Sequence, residues 1–87
     1  MDKISKKSET ESKLIGLISE KLEIRKEDIN TSSNLISDLG ADSLDVIELI
    51  MNVEKEFGIR VLEEDSKDLQ TVGDIVNYIN NIQSLAS

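Results

Sequence analysis

Asp38-Leu-Gly-Ala-Asp-Ser-Leu-Asp-Val-Ile-Glu-Leu-Ile-Met-Asn-Val-Glu-Lys-Glu-Phe-Gly58 reads as a loop that turns into a helix and then stops. Leu49, Ile50, Val53 and Phe57 recur at i, i+1, i+4 and i+8, the stripe of a helix lying on a core. Leu44, Ile47 and Met51 form a second seam at i, i+3 and i+7, with Asp45, Glu48 and Glu54 among and beside it. The spacing predicts a helix from about Ser43 to Phe57, ended by Gly58 in the preferred C′ position. One serine, Ser43, stands at its head between Asp42 and Leu44.

The same periodicity extends outward in both directions. Before the loop, Leu14, Leu17, Ile18 and Leu22 recur at helical spacing, with Ile15 widening the stripe. Ser8-x-x-Glu11 has the form of a capping box, so this helix is expected to start after Ser8 and end near Glu23. After Gly58, Glu63 to Asp68 is short and mostly charged, and one or two turns of weak helix are expected there. Thr71-x-x-Asp74 signals a last helix, with Val72, Ile75, Val76, Ile79 and Ile82 on its buried face. Between the first two helices, residues 24–42 are rich in turn formers. Arg25 to Asp28 suits one helical turn. Ile24, Ile29, Leu35, Ile36 and Leu39 are expected to tether the segment to the core, because long structureless loops are uncommon in compact domains. The expected fold is all-α: a small four-helix bundle, three main helices plus one short one, with a long first crossover loop. The expected organisation is a leader over 1–7, one domain over 8–83 and a tail over 84–87.

Composition narrows the chemistry. The chain has 87 residues with no cysteine, histidine or proline. Disulfides, thiolate metal sites and the commonest zinc ligands and general base are therefore excluded. No metal site or catalytic group is expected. No apolar run approaches the roughly 20 residues that cross a bilayer. The first dozen residues are polar and lack a signal-peptide core and the arginines of a transit peptide, so a cytoplasmic protein, or the mature form of an organelle protein, is expected.

Net charge is −8. Residues 1–26 hold seven Lys/Arg against five Asp/Glu, and residues 27–87 hold three against thirteen. Such a surface repels nucleic acid and anionic lipid and attracts basic patches on proteins. A monomer is expected, with no nucleic-acid partner and no stable membrane binding.

Chemistry alone leaves three readings of Ser43. It suits a plain helix N-cap, as serine and aspartate both do. As a nucleophile it lacks an adjacent base, and the Gly-x-Ser-x-Gly elbow is absent. As an attachment site it stands where free backbone N–H groups and the helix dipole favour a phosphate, and Gly40 leaves room around it. Asp42 and Asp45 oppose a phosphate, which suggests that they serve an approaching basic enzyme. A calcium loop starting at Asp38 fails, with Gly40 at position 3, Ser43 at 6 and Leu49 at 12.

The chain resembles an acyl carrier protein of the bacterial type II fatty-acid system. The resemblance rests on Leu39-Gly-Ala-Asp-Ser-Leu-Asp45, Glu48-Leu-Ile-Met51, Glu54-Lys-Glu-Phe57, Leu69, Thr71-Val72 and Ile75-Val-Asn-Tyr-Ile79. It covers about Ser8 to Ile82. It implies a carrier, not an enzyme, with 4′-phosphopantetheine joined to Ser43 by a holo-synthase using coenzyme A. It implies that acyl groups ride on that arm as thioesters between fatty-acid enzymes. It further implies docking to basic patches through Asp42, Leu44, Asp45, Val46, Glu48, Met51 and Glu54. Ile47, Ile50, Val61, Leu69 and Val72 become candidates for lining an acyl pocket. Lys55 and Arg60 depart from positions that are acidic in many relatives, and Leu62 replaces a common proline. The alternatives are a carrier of polyketide or aminoacyl groups, including D-alanyl, or an unmodified acidic interaction module.

Overall fold

The computed structural model describes residues 6–86. Four α-helices follow one another: α1 (Lys6–Leu22), α2 (Ser43–Phe57), α3 (Glu63–Ser66) and α4 (Val72–Ala86). A 3₁₀ turn, Lys26–Asp28, lies in the crossover between α1 and α2. Among the described residues there is no strand, only an isolated bridge between Asn34 and Thr71.

Each long helix buries most of the stripe that its periodicity announces, though Ile82, expected on the buried face of α4, is only partly buried. α1 buries Leu14 and Ile18, α2 buries Leu49, Ile50 and Val53, and α4 buries Val72, Ile75, Val76 and Ile79. Ile15, Leu17, Leu22 and Phe57 pack partly buried against this core. Burying one such side chain contributes about 1.5–3 kcal/mol, so these stripes decide where the helices lie. α1 packs against both α4 and α2. Buried Thr10 donates to Asn80 Oδ1 at 3.2 Å, a polar tie between α1 and α4.

The helix limits differ from expectation at a few places. α1 begins at Lys6, so Ser8 lies inside it and not at its cap. Residues 1–5 of the expected leader lie outside the described residues. α1 ends at Leu22, where Glu23 takes a left-handed φ of 57° and turns the chain. α2 spans the expected residues and is closed by Gly58 at φ 64°. α3 is a single turn, within the one or two expected, and it buries no residue. Thr71 and Asp74 cap α4 reciprocally: Thr71 Oγ1 accepts from Asp74 N and Asp74 Oδ2 accepts from Thr71 N, both at 3.1 Å.

The crossover is tethered by Ile29 and Leu35, which are buried, and by partly buried Ile24 and Leu39. Ile36, expected to join them, is instead 56% exposed. The physical reason is local. Asn34 Oδ1 accepts from the N–H groups of both Ile36 and Ser37 at 3.0 Å, forming a tight turn. Of two adjacent apolar residues in that turn, Leu35 points inward and Ile36 does not. Backbone hydrogen bonds then sew the crossover to the start of α4: Leu35 N to Gln70 O, Val72 N to Ser33 O and Gly73 N to Thr31 O, at 2.8–3.1 Å.

Candidate attachment site at the head of helix α2

Ser43 is the first residue of α2, and Asp42 is the N-cap. Asp42 Oδ1 accepts from Asp45 N at 2.9 Å, while Asp45 Oδ2 accepts from Asp42 N at 3.3 Å. Two acids thus close a capping box that normally takes Ser or Thr with Glu. The cap reading of Ser43 is thereby corrected, since its neighbour does that work. The Ser43 side chain is exposed and its hydroxyl has no partner among the described residues.

The loop ahead of Ser43 is firmly held. Asn34 N donates to Asp38 Oδ2 at 2.7 Å, and Ala41 N donates to Leu35 O at 2.9 Å. Ala41 is buried. Gly40 sits at φ 77°, a conformation that costs a side-chain-bearing residue roughly 1 kcal/mol or more. The turn therefore delivers Ser43 to a fixed place rather than on a loose tether.

Along α2 each acid expected on a docking face also has a partner within the molecule. Asp42 and Asp45 cap the helix. Glu48 forms an ion pair with Lys21 of α1. Glu54 Oε2 accepts from Val61 N at 2.8 Å, pinning the segment after α2. Every one of these carboxylates engages through one oxygen and keeps a second. The hydrogen bond to Glu48 holds the Lys21 ammonium above the usual lysine range, against desolvation, with the charges of Glu48, Asp45 and Asp42 adding to it. Leu44 and Met51 are more than half exposed beside these acids, whereas Val46 is partly buried against the core.

A cavity of about 420 Å³ opens beside Ser43, between α2, α3 and the crossover. Ser43, Val46 and Ile47 line it from α2, Leu35 and Ile36 from the crossover, and Ser66, Lys67, Leu69 and Gln70 from the other side. Of the residues expected in an acyl pocket, Ile47 and Leu69 line it. Ile50 and Val72 are buried in the core, and partly buried Val61 also lies outside the lining. Leu35, Ile36 and Val46 were not expected there. The adjacent apolar pair Leu35-Ile36 is the signal in the sequence for this wall.

The far wall is lightly held. Tyr78 of α4 donates its hydroxyl to Asp65 Oδ2 at 2.8 Å and accepts from Leu62 N at 3.4 Å. Burial, then the bond to Asp65, pushes the Tyr78 phenol above its ordinary range. Among the described residues no group of three acidic side chains is placed to hold a metal ion, and no helix is long and apolar enough to cross a membrane.

Comparison with known proteins agrees with this geometry. Residues 12–79 match the phosphopantetheine attachment site family. The acyl carrier protein of Thermotoga maritima is 45% identical over 76 residues, covering 87% of this chain and 94% of its own. That of Porphyromonas gingivalis is 42% identical over 72 residues, covering 83% and 92%. With a matching attachment domain across most of its length and relatives this similar over nearly all of theirs, the chain belongs to the acyl carrier protein family.

Proposed function

We propose that Ser43 carries 4′-phosphopantetheine as a phosphodiester and that the chain carries acyl groups between the enzymes of fatty acid synthesis. The observation that carries this reading is the division of labour at the head of α2. Asp42 takes the cap, so Ser43 keeps a free, exposed hydroxyl on the rim of a largely apolar cavity. The residues fit the group: a phosphate on Ser43 Oγ would sit in the first turn, near unpaired backbone N–H groups and the positive end of the dipole. When attached, the arm supplies a terminal thiol that holds acyl groups as thioesters, the difficult chemistry being the cofactor's.

The chain itself positions and presents. Ser43 offers the oxygen that becomes esterified. The pyrophosphate of coenzyme A would break with adenosine 3′,5′-bisphosphate leaving, and the Ser43 proton would pass to a base of the installing enzyme, since the chain has no histidine. Asp42, Asp45, Glu48 and Glu54 present their second oxygens to lysines and arginines of partners. Leu44 and Met51 add small apolar contacts. Charges at the edge of an interface raise the rate of encounter more than affinity, which suits a carrier that must leave after each step. The cavity beside Ser43 is within the range of about 300–1,000 Å³ typical of ligand pockets. It would shelter the acyl chain, with Ile47 and Leu69 as walls.

Intact mass tests the reading. After incubation with coenzyme A, magnesium and a holo-synthase, the wild type gains one phosphopantetheine and Ser43→Ala gains none. An unmodified wild type, or equal gain by Ser43→Ala, overturns it.

A further inference from the structure

Among the described residues, Lys21 is the one basic residue paired with an acid of α2. It lies in α1, twenty-seven positions before its partner Glu48, and bridges the two helices. Its side chain is 25% exposed and that of Glu48 is 44% exposed. The lysine stem therefore lies along the surface between the helices, with the ammonium at the edge of the acid cluster. Asp42 and Asp45 act on the same ammonium through space. The face proposed to meet basic partners thus already holds a cation of its own.

We infer that Lys21 is a positioning and specificity-determining residue, an internal counter-ion that masks Glu48 and that a partner's lysine or arginine must displace in docking. The inference rests on the proposed docking role of α2. The physical reason is competition for one carboxylate. Glu48 Oε1 faces Lys21, so an incoming cation meets either the remaining oxygen or a carboxylate that must first swing away from α1. An exposed ion pair is weakly held, so the mask is easily displaced. It lowers the apparent affinity for partners that engage Glu48, and most for those that depend on it most. Partners engaging only Asp42, Asp45 and Leu44 avoid the competition. A single lysine on a helix outside the docking face therefore grades partners by how far down α2 they reach.

The test uses the full chain as the varied substrate, at low ionic strength, of a holo-synthase whose KM for the chain rises with Glu48→Gln alone. Lys21→Ala, which suits a helix, is expected to lower KM about two- to fivefold with kcat unchanged, the range of an exposed ion pair. Lys21→Arg, which keeps the pair, is expected to behave as wild type. The effect of Lys21→Ala is expected to vanish in a Glu48→Gln background. Lys26→Ala removes the same charge a few residues on, without touching the pair, and is expected to lower KM by clearly less. An unchanged or higher KM for Lys21→Ala in a normally loaded protein overturns the inference alone. So does an effect that persists with Glu48→Gln or is matched by Lys26→Ala. A wild type that accepts no phosphopantetheine overturns the attachment reading and this inference with it.

Discussion

The carboxylate of Asp42 does for helix α2 what the hydroxyl of its neighbour Ser43 could have done. By accepting from Asp45 N at 2.9 Å it caps the helix and leaves Ser43 without a structural task. Stability and modification are thereby separated onto adjacent residues. Asp42→Ala is expected to destabilise the fold by about 1 kcal/mol, within the usual 0.5–2 for a lost cap. Ser43→Ala is expected to change stability by less than about 0.5 kcal/mol, as exposed substitutions do, while abolishing the mass gain. Urea titration of both variants beside intact mass checks the separation. A Ser43→Ala loss as large as that of Asp42→Ala would contradict it.

The Tyr78 phenol staples the single turn of α3 to α4. Tyr78→Phe removes the bond to Asp65 and the acceptor for Leu62 N, at an expected local cost of about 0.5–1.5 kcal/mol. The Asp65 and Ser66 amides, both bonded to Leu62 O, should exchange faster in the variant. Core amides of α1 should hardly change. Hydrogen exchange followed by mass spectrometry or NMR decides the matter, and unchanged exchange in α3 would mean that the staple is not its support.

Alkaline pH should act through the same residue. The folded state raises the Tyr78 pKa above its ordinary value near 10. Folding therefore favours the protonated phenol, and this contribution is complete below about pH 10 and is lost as pH rises through the folded pKa. Lys21 is shifted in the same direction, so its contribution fades over the same alkaline range. A denaturation series between neutral pH and pH 11 is expected to show a decline that is shallower in Tyr78→Phe. Identical slopes would remove Tyr78 from the account.

Gly73 marks a close approach between α4 and the crossover. A Cβ there would lie 3.0 Å from the carbonyl oxygen of Thr31, which also accepts Gly73 N at 2.8 Å. Alanine is favoured over glycine in a helix by about 1 kcal/mol, but here it must push backbone. Overpacking of this kind typically costs about 1–3 kcal/mol, so Gly73→Ala is expected to lower stability by roughly 1 kcal/mol net. A higher melting temperature for the variant would show that the crossover gives way freely.

Crowded carboxylates should make the protein salt-dependent. Thirteen acids against three bases over residues 27–87 repel one another in the folded state. Moderate salt or millimolar divalent cations are expected to raise the melting temperature by screening that repulsion. No rise with either would mean that the repulsion is a minor cost in this fold.

Much of the architecture was legible in the chain because each long helix carries a clean apolar period. α2 spans the expected residues, since Ser43 and Gly58 stand at ends that both periodicity and turn chemistry mark. The start of α1 was misplaced because Ser8-x-x-Glu11 imitates a cap inside a continuing helix. Ile36 and the cavity were harder. Whether an apolar residue in a turn faces inward depends on the carbonyl and side-chain bonds around Asn34, and periodicity does not apply there.

The sequence by itself determined the all-α fold, the serine at the head of an acidic helix, and the absence of any histidine or cysteine to activate it. These follow from local spacing and residue type. Only the tertiary structure decided that Asp42 rather than Ser43 caps α2, that Leu35, Ile36 and Val46 join Ile47 and Leu69 around the cavity, and that Lys21 reaches Glu48. Those relationships join residues distant in the chain or choose between neighbours of equal propensity, and packing of the helices settles both.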